Sequence, residues 1–324
     1  MSFLWKIFFR ILRRDTPVKI FYLFYLELKR KLFGIKHTAE FDLTENCNLR
    51  CIHCYHFKKE PIAHFKEESI DVWKERMHGL FRKGIRNVLL VGGEPALRMD
   101  LLMLANEIFP TVYVITNGLV MIPENFRHTI FLSIDGMEKT NDSIRGENTF
   151  SKIIANYRND RRVIINMTLM KENYRELEDV VKLSAVNNFI GVVCNIYTHY
   201  NFDPAADKLI AGPEERAEII KEMKRVKKLY PANLLFSPSM IKWYESPDHR
   251  QSCYWRENAL HFDAAFTPRH CFGEADCADC GCFAGAISCL AARPLEQASY
   301  SLVLRFRKFV LLLKSFLRGG RNRQ

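Results

Sequence analysis

The stretch Cys47-Asn48-Leu49-Arg50-Cys51-Ile52-His53-Cys54 packs three cysteines into eight residues, just after a short β-like run from Ala39 to Leu43. Three thiolates at C-x3-C-x2-C spacing can hold three corners of an iron–sulfur cube. The fourth iron is then left without a protein ligand, open to a substrate or cofactor. The competing reading is a zinc site, which needs a fourth ligand that His53 or His56 could bring. A cluster open on one side explains better why the motif follows directly on a strand, where a barrel would place its chemistry.

Working outward from this loop, β-rich runs alternate with helical patterns from about residue 38. Candidate strands are Glu40–Leu43, Asn87–Val91, Val112–Thr116, Ile130–Ile134, Val163–Leu169 and Val192–Tyr197. Between the first two, Ile70, Trp73, Met77, Leu80 and Phe81 keep one helical face and Gly84 ends it. Later helices are expected over Leu101–Phe109, Phe150–Tyr157, Tyr174–Ala185 (with Asn173 as cap) and Glu214–Tyr230, closed by Pro231. Strands alternating with helices imply a parallel sheet covered on both faces. The fold class is therefore α/β, and a count of six strands predicts a partial (β/α)6 TIM-like barrel rather than a closed barrel of eight. Chemistry-bearing residues collect where these strands end: Gly92-Gly93-Glu94-Pro95, Thr116-Asn117-Gly118 and Ser133-Ile134-Asp135-Gly136, with Asn166 inside the fifth strand.

Composition narrows the function classes. Hydrophobic residues make up 48% of the 324, which excludes global disorder. The net charge of +11 points to an anionic partner, and it is concentrated at the two ends. Residues 1–36 carry nine Lys and Arg against Asp15 and Glu27, and residues 301–324 carry seven with no acid. Ten cysteines could signal an oxidised, secreted protein, but they cluster, and clusters in an enzyme-sized chain point to metal. With no secretory signal and no apolar run near the roughly 20 residues that span a bilayer, a cytoplasmic protein is expected.

The cysteine stretch resembles the signature of the radical S-adenosylmethionine (radical SAM) superfamily. The resemblance implies that Cys47, Cys51 and Cys54 hold a [4Fe–4S] cluster whose open iron is chelated by the amino and carboxylate groups of SAM. It also places His53 near the adenine. Gly92-Gly93-Glu94 is similar to the family motif that binds the SAM amino group. The segment Ser133–Gly146, with Arg145-Gly146, resembles the branch of molybdenum-cofactor enzymes and peptide-modifying maturases. There, polar groups after the fourth strand and the arginine contact the SAM ribose and carboxylate, implying such roles for Ser133, Asp135 and Arg145. Asn117 and Asn166 either touch SAM or satisfy backbone at the rim. The family also implies an electron donor of flavodoxin or ferredoxin type. No residue is singled out as a catalytic acid or base.

Cys271, Cys277, Cys280 and Cys282, with Cys253 upstream, form a second metal-like group. It is similar, loosely, to the SPASM or twitch-type extensions that hold an auxiliary iron–sulfur cluster, zinc being the rival. Cys194 in the sixth strand reads as a core thiol. The expected organisation is 1–37 as basic amphipathic helices and 38–236 as the barrel. Residues 237–294 then form a Cys-rich extension and 295–324 a basic amphipathic helix and tail. The apolar, aromatic and basic ends suit either an anionic membrane surface, with peripheral placement on the inner face of the membrane, or packing against the barrel. No nucleic acid is expected. Three substrate or function classes follow: a membrane-associated substrate, a cytoplasmic peptide or protein, and a non-catalytic zinc protein that binds membranes or nucleic acid.

Overall fold

The computed structural model describes residues 25, 28, 32, 34 and 36–319, apart from 59–64, 199–208, 210, 247–252, 272–279 and 293. Of the amphipathic helices expected over 1–37, all but residues 25, 28, 32, 34, 36 and 37 lie outside the described residues, as does Cys277.

Seven strands form one sheet in the order β6-β5-β4-β3-β2-β1-β7, and every pairing is parallel. They are β1 Thr38–Asp42, β2 Asn87–Val91, β3 Thr111–Thr116, β4 Thr129–Ser133, β5 Val163–Leu169, β6 Gly191–Ile196 and β7 Ala259–Phe262. The helices, in chain order, are α1 Tyr55–Lys58, α2 Ile70–Arg82, α3 Met99–Ile108, α4 Glu138–Arg145, α5 Thr149–Tyr157 and α6 Leu177–Val186. They continue with α7 Pro213–Leu229, α8 Pro238–Trp243, α9 Tyr254–Asn258, α10 Phe283–Ser288 and α11 Pro294–Gly319. The six expected strands are present and alternate with helices except between β3 and β4. The seventh strand comes from the Cys-rich region and extends the sheet beyond β1; with four residues and no alternation to read, β7 is silent in the sequence.

The pleat sorts the side chains of β1. Ala39 and Phe41 face the helices, where Phe41 meets Trp73 of α2 edge-on at 6.1 Å. Glu40 and Asp42 take the opposite, inner face and are fully buried there. Leu132 does the same for β4 against Ile153 of α5, since both would meet a side chain at Gly118, which leaves Phe131 inward. Phe283 of α10 packs against Phe131 at 6.4 Å and Phe236 at 5.5 Å, so the Cys-rich region contributes to the interior of the half-barrel.

β6 ends the sheet, and its outer edge is nevertheless satisfied. Val192 exchanges backbone hydrogen bonds with Asn233 and Leu235, the Tyr244 hydroxyl donates to the Cys194 carbonyl, and the Ile196 amide donates to the Gly281 carbonyl. An unpaired parallel edge would recruit another chain. Here α8, its approach and the Cys280–Cys282 segment cover it. Gly281 is required by the close approach: a Cβ there would lie 1.9 Å from the Ile196 carbonyl oxygen.

Candidate active site at the carboxyl rim

The cysteine loop leaves β1 and is stitched to the turn after β2. The Leu43 amide donates to the Val91 carbonyl, Gly93 to Thr44 and Glu94 to Asn46, all at 2.8–2.9 Å. Gly92 takes φ +117°, and a Cβ on Gly93 would sit 2.1 Å from the Asn46 carbonyl oxygen, so the turn demands glycine at both positions. Glu67 reinforces the loop, accepting from Thr44 and Asn46 and pairing with Arg98 at 2.6 Å. Arg50 donates to the Cys47 carbonyl and lies over the Phe57 ring.

Cys47, Cys51 and Cys54 are half-buried thiols brought to one place. Burial pushes the Cys51 thiol up to about 11, and the charges of Cys54, Asp135 and Cys47 push the same way against Arg145. Cys47 is raised by burial and also feels Cys54. Cys47 and Cys51, each raised and each near Cys54, become thiolates readily only when a cation compensates them. The donor set therefore fits a thiophilic metal cluster. Around it, the Leu49 amide donates to Cys47 Sγ at 3.4 Å, and the Asn117 amide group lies 3.8 Å from the same sulfur while bonding Asn48 at 2.7 Å. Asn48 is a contributor that sequence reasoning passed over.

Glu94 is 1% exposed. Its carboxylate accepts from the Ala96 amide, the Thr116 hydroxyl and the Asn117 amide at 2.7–2.9 Å. All three donors are neutral, and among the described residues no salt bridge to it is present. Burial raises its pKa, with those hydrogen bonds opposing. A buried carboxylate beside three cysteines and without an ionic partner is suited to an ammonium group.

Across the loop, Asp135 is wholly buried between Arg145, at 2.6 Å, and His53, at 3.1 Å. Burial would raise its carboxyl, but the Arg145 charge and then His53 bring it down to about 2. Arg145 also reaches Cys51 Sγ at 3.9 Å, and the Ile52 amide donates to the Ile144 carbonyl, so the end of α4 grips the cysteine loop. Asp135 does shape its turn as well, accepting from the Thr168 amide at 2.7 Å. The turn is held from behind by Asn173, whose side chain donates to the Asp135 and Thr168 carbonyls and accepts from Met170. Asn173 was expected to cap a helix; it instead cross-links two strand ends, and no side-chain cap bond is present at that helix start. Asn141 and Glu176 complete this scaffold, accepting from the amides of Asp135 and Met137. These polar helpers sit in ordinary loop and helix contexts, so no local pattern announces them.

Ser133 is buried at the end of β4, opposite Asn166 of β5. Asn166 accepts from Asn195 at 2.8 Å, and Asn195 accepts from the amide of Phe283. The rim is thereby tied to the second cysteine group. Within that group burial pushes the Cys282 thiol well up, with the charges of Cys280 and Cys271 adding to it. The structure thus draws Cys271, Cys280 and Cys282 together. Cys253 is buried at the start of α9, and Cys194 is fully buried in β6. The segment is fixed by Gly281 donating to the Thr198 hydroxyl and by Arg216 donating to the Cys280 carbonyl.

One more buried group belongs to the site's frame. Arg269, two residues before Cys271, donates to Glu40 at 2.7 Å and Asp42 at 2.8 Å. Trp255 donates to Glu40, and His261 lies 3.6 Å away. Burial would raise the Glu40 carboxyl, but Arg269 and His261 hold it at about 2. Two acids in a strand of otherwise apolar residues were the signal that sequence reasoning left unused.

Comparison with known proteins agrees with this rim. The sequence profile of the Radical SAM superfamily matches residues 41–184. The sporulation killing factor maturation protein SkfB of Bacillus subtilis is 33% identical over 44% of this chain and 38% of its own length. The pre-heme d1 synthase of Dinoroseobacter shibae is 29% identical over 46% of this chain and 40% of its own. The chain thus matches about two fifths of the length of these relatives. Among solved structures, SuiB of Streptococcus suis bound to S-adenosylmethionine superposes with a TM-score of 0.58 at 15% identity, covering 76% of this chain and 66% of SuiB. SuiB has also been solved with its precursor peptide SuiA, with a TM-score of 0.55.

Proposed function

We propose that this chain, which carries a radical SAM domain, is a radical SAM enzyme that cleaves S-adenosylmethionine reductively at a [4Fe–4S] cluster held by Cys47, Cys51 and Cys54. When bound, that cofactor pair supplies a 5′-deoxyadenosyl radical able to take hydrogen from an unreactive carbon. The chain's own residues bind, orient and shield. Glu94 would take the amino group of SAM, because its carboxylate is buried, hydrogen-bonded only to neutral donors and set beside the cysteines. Arg145 and Ser133 would face the carboxylate and ribose, and the half-buried His53 the adenine. Asp135 holds Arg145 and His53 in place, and Asn173 and Glu176 hold Asp135's turn. Asn117 and Asn166 act from the second layer, through Cys47 and through Asn195.

A second, auxiliary iron–sulfur cluster is proposed on Cys271, Cys280 and Cys282, with Cys253 and Cys277 as the further candidates. An external flavodoxin or ferredoxin is the expected electron source. The substrate class favoured by the likeness to a maturation protein and to a structure holding a precursor peptide is a peptide or protein. The basic ends support work on the cytoplasmic side beside an anionic membrane, and among the described residues no helix is long and apolar enough to cross one.

The observation that carries the reading is the pairing of three coupled thiols with a buried, ion-partnerless Glu94. Anaerobic reconstitution tests it. Iron and sulfide for at least one cluster, with 5′-deoxyadenosine formed from SAM under dithionite, are expected. Zinc without iron, or no cleavage by the iron-loaded protein, would reject it in favour of a structural zinc protein.

A further inference from the structure

α11 is 26 residues long and has two unlike sides. One side is fastened to the domain. Glu296 accepts from Ser239, the Tyr300 hydroxyl donates to the Leu235 carbonyl, Leu304 packs on the core, Arg307 donates to the Ile190 carbonyl and Leu311 is buried. These positions recur every three or four residues, so they form one stripe. Ile190 immediately precedes β6, which places Arg307 at the amino-terminal rim of the sheet, opposite the cysteine loop.

The other side is apolar and uncovered. Leu302, Val303 and Phe306 are 60%, 42% and 67% exposed. The same helical spacing continues in the sequence through Phe309, Leu313 and Phe316-Leu317. Interleaved with it in the sequence are Arg305, Lys308, Lys314 and Arg318, and no acid occurs after residue 300. Tyr25, Leu28 and Leu32, at the described part of the other basic end, are likewise exposed.

We infer that α11 docks this protein on an anionic lipid surface through Leu302, Val303 and Phe306, with the amino-terminal rim toward the lipid and the cysteine rim away from it. Charge selects this occupant. A second copy would bring its own acid-free, seven-cation end against the first, and like charges repel, whereas anionic headgroups attract each such cation by about 1 kcal/mol. A wide apolar ridge edged by Lys and Arg on a long helix is what an interfacial helix presents. The docking does not depend on the radical chemistry. Its consequence does rest on that reading: the reactive rim faces water, so the substrate comes from the aqueous side, as a peptide or protein segment would, rather than from within the bilayer.

The reconstituted full chain is sedimented with vesicles of phosphatidylcholine alone and with added phosphatidylglycerol. Retention only on the anionic vesicles, falling as salt rises, is expected. Leu302→Asp with Phe306→Asp should weaken it by at least about tenfold while 5′-deoxyadenosine formation is unchanged. Tryptophan fluorescence gained by Phe306→Trp should be quenched by brominated lipid, and that gained by Leu97→Trp, beside the cysteine rim, should not. Equal retention on neutral vesicles, or none on either, overturns the docking. So does a variant that turns a dimer into a monomer or loses RNA binding while vesicle behaviour stays as before. Quenching at Leu97 and not at Phe306 overturns the orientation. Loss of SAM cleavage in the unmodified chain rejects the enzymatic reading and leaves the vesicle result standing.

Discussion

The two cysteine groups are built by different means. The loop of Cys47, Cys51 and Cys54 is held by its neighbours in sequence and by successive βα units: Gly92-Gly93-Glu94 reach it from the turn after β2, Asn117 from the end of β3 and Arg145 from the helix after β4. The group of Cys271, Cys280 and Cys282 has few such neighbours. It hangs on two strands far apart in the sheet, by Gly281 on the edge strand β6 and by Arg269 on β1. A site assembled from repeated βα units inherits its geometry from the fold. A site hung on two distant strands owes it to a handful of long-range bonds, and losing one of these should matter more to its architecture than to the first site's chemistry.

Substitutions can break the contrast in graded fashion. The largest effect is expected from Cys51→Ala, which should abolish 5′-deoxyadenosine formation outright. Cys282→Ala should leave SAM cleavage measurable and remove product turnover, as read by product mass spectrometry. Equal, total loss of cleavage in both would mean that the two groups are one functional centre. Next comes Arg269→Met, which leaves two buried carboxylates without their cation at a cost of about 3–5 kcal/mol, read as a lowered denaturation midpoint. The rank order would fail if this variant were as stable as the parent.

Acidification examines the same contact. Glu40 titrates at about 2 folded against an ordinary 4.5, so its contribution is fully present above about 4.5 and is lost as pH falls toward 2. Through that window the parent should lose about 3 kcal/mol that Glu40→Gln never had. A parallel acid-unfolding curve for the two would show that Glu40 gains nothing from Arg269.

A smaller effect is predicted at the first group. Glu94→Gln would remove the charge-assisted bond proposed to the SAM ammonium and should weaken SAM binding by about 1.5–3 kcal/mol, seen by calorimetry, with iron content unchanged. Smallest is Asn195→Ala, which cuts the bridge between Asn166 and Phe283 for about 1 kcal/mol, and should lower stability without touching SAM affinity. A drop in SAM affinity there would mean that the second group supports the first after all.

How much of this could be read beforehand follows the same division. β2 and β5 match their expected bounds, and the other four core strands are off by one or two residues, because parallel strands buried on both faces are written as continuous apolar runs ended by glycine or polar turns. The structure brings the cysteine loop, Gly92–Glu94 and Arg145 to one rim; the loop was legible from its local spacing, and Gly92–Glu94 and Arg145 from the family resemblance. β7, the placement of α10 inside the half-barrel and the strut from Arg269 to Glu40 were not. Each depends on a partner far along the chain, and nothing in Ala259–Phe262 or Arg269 reveals that partner. Asn173 shows the limit on a smaller scale. Asparagine before a helix suits a cap, and only the approach of Asp135 and Thr168 turned it into a cross-link.

The strut also sets a timetable for synthesis. Arg269 lies 227 residues beyond Asp42. At about 5–20 residues per second, a ribosome delivers it roughly 10–45 s after the acids it neutralises. Until then β1 carries two carboxylates that the finished interior cannot hold uncompensated. The nascent half-barrel should stay loose on its inner side, with the cysteine loop already out of the tunnel and open to iron. Closure of that inner side waits for the late arrival of a single guanidinium.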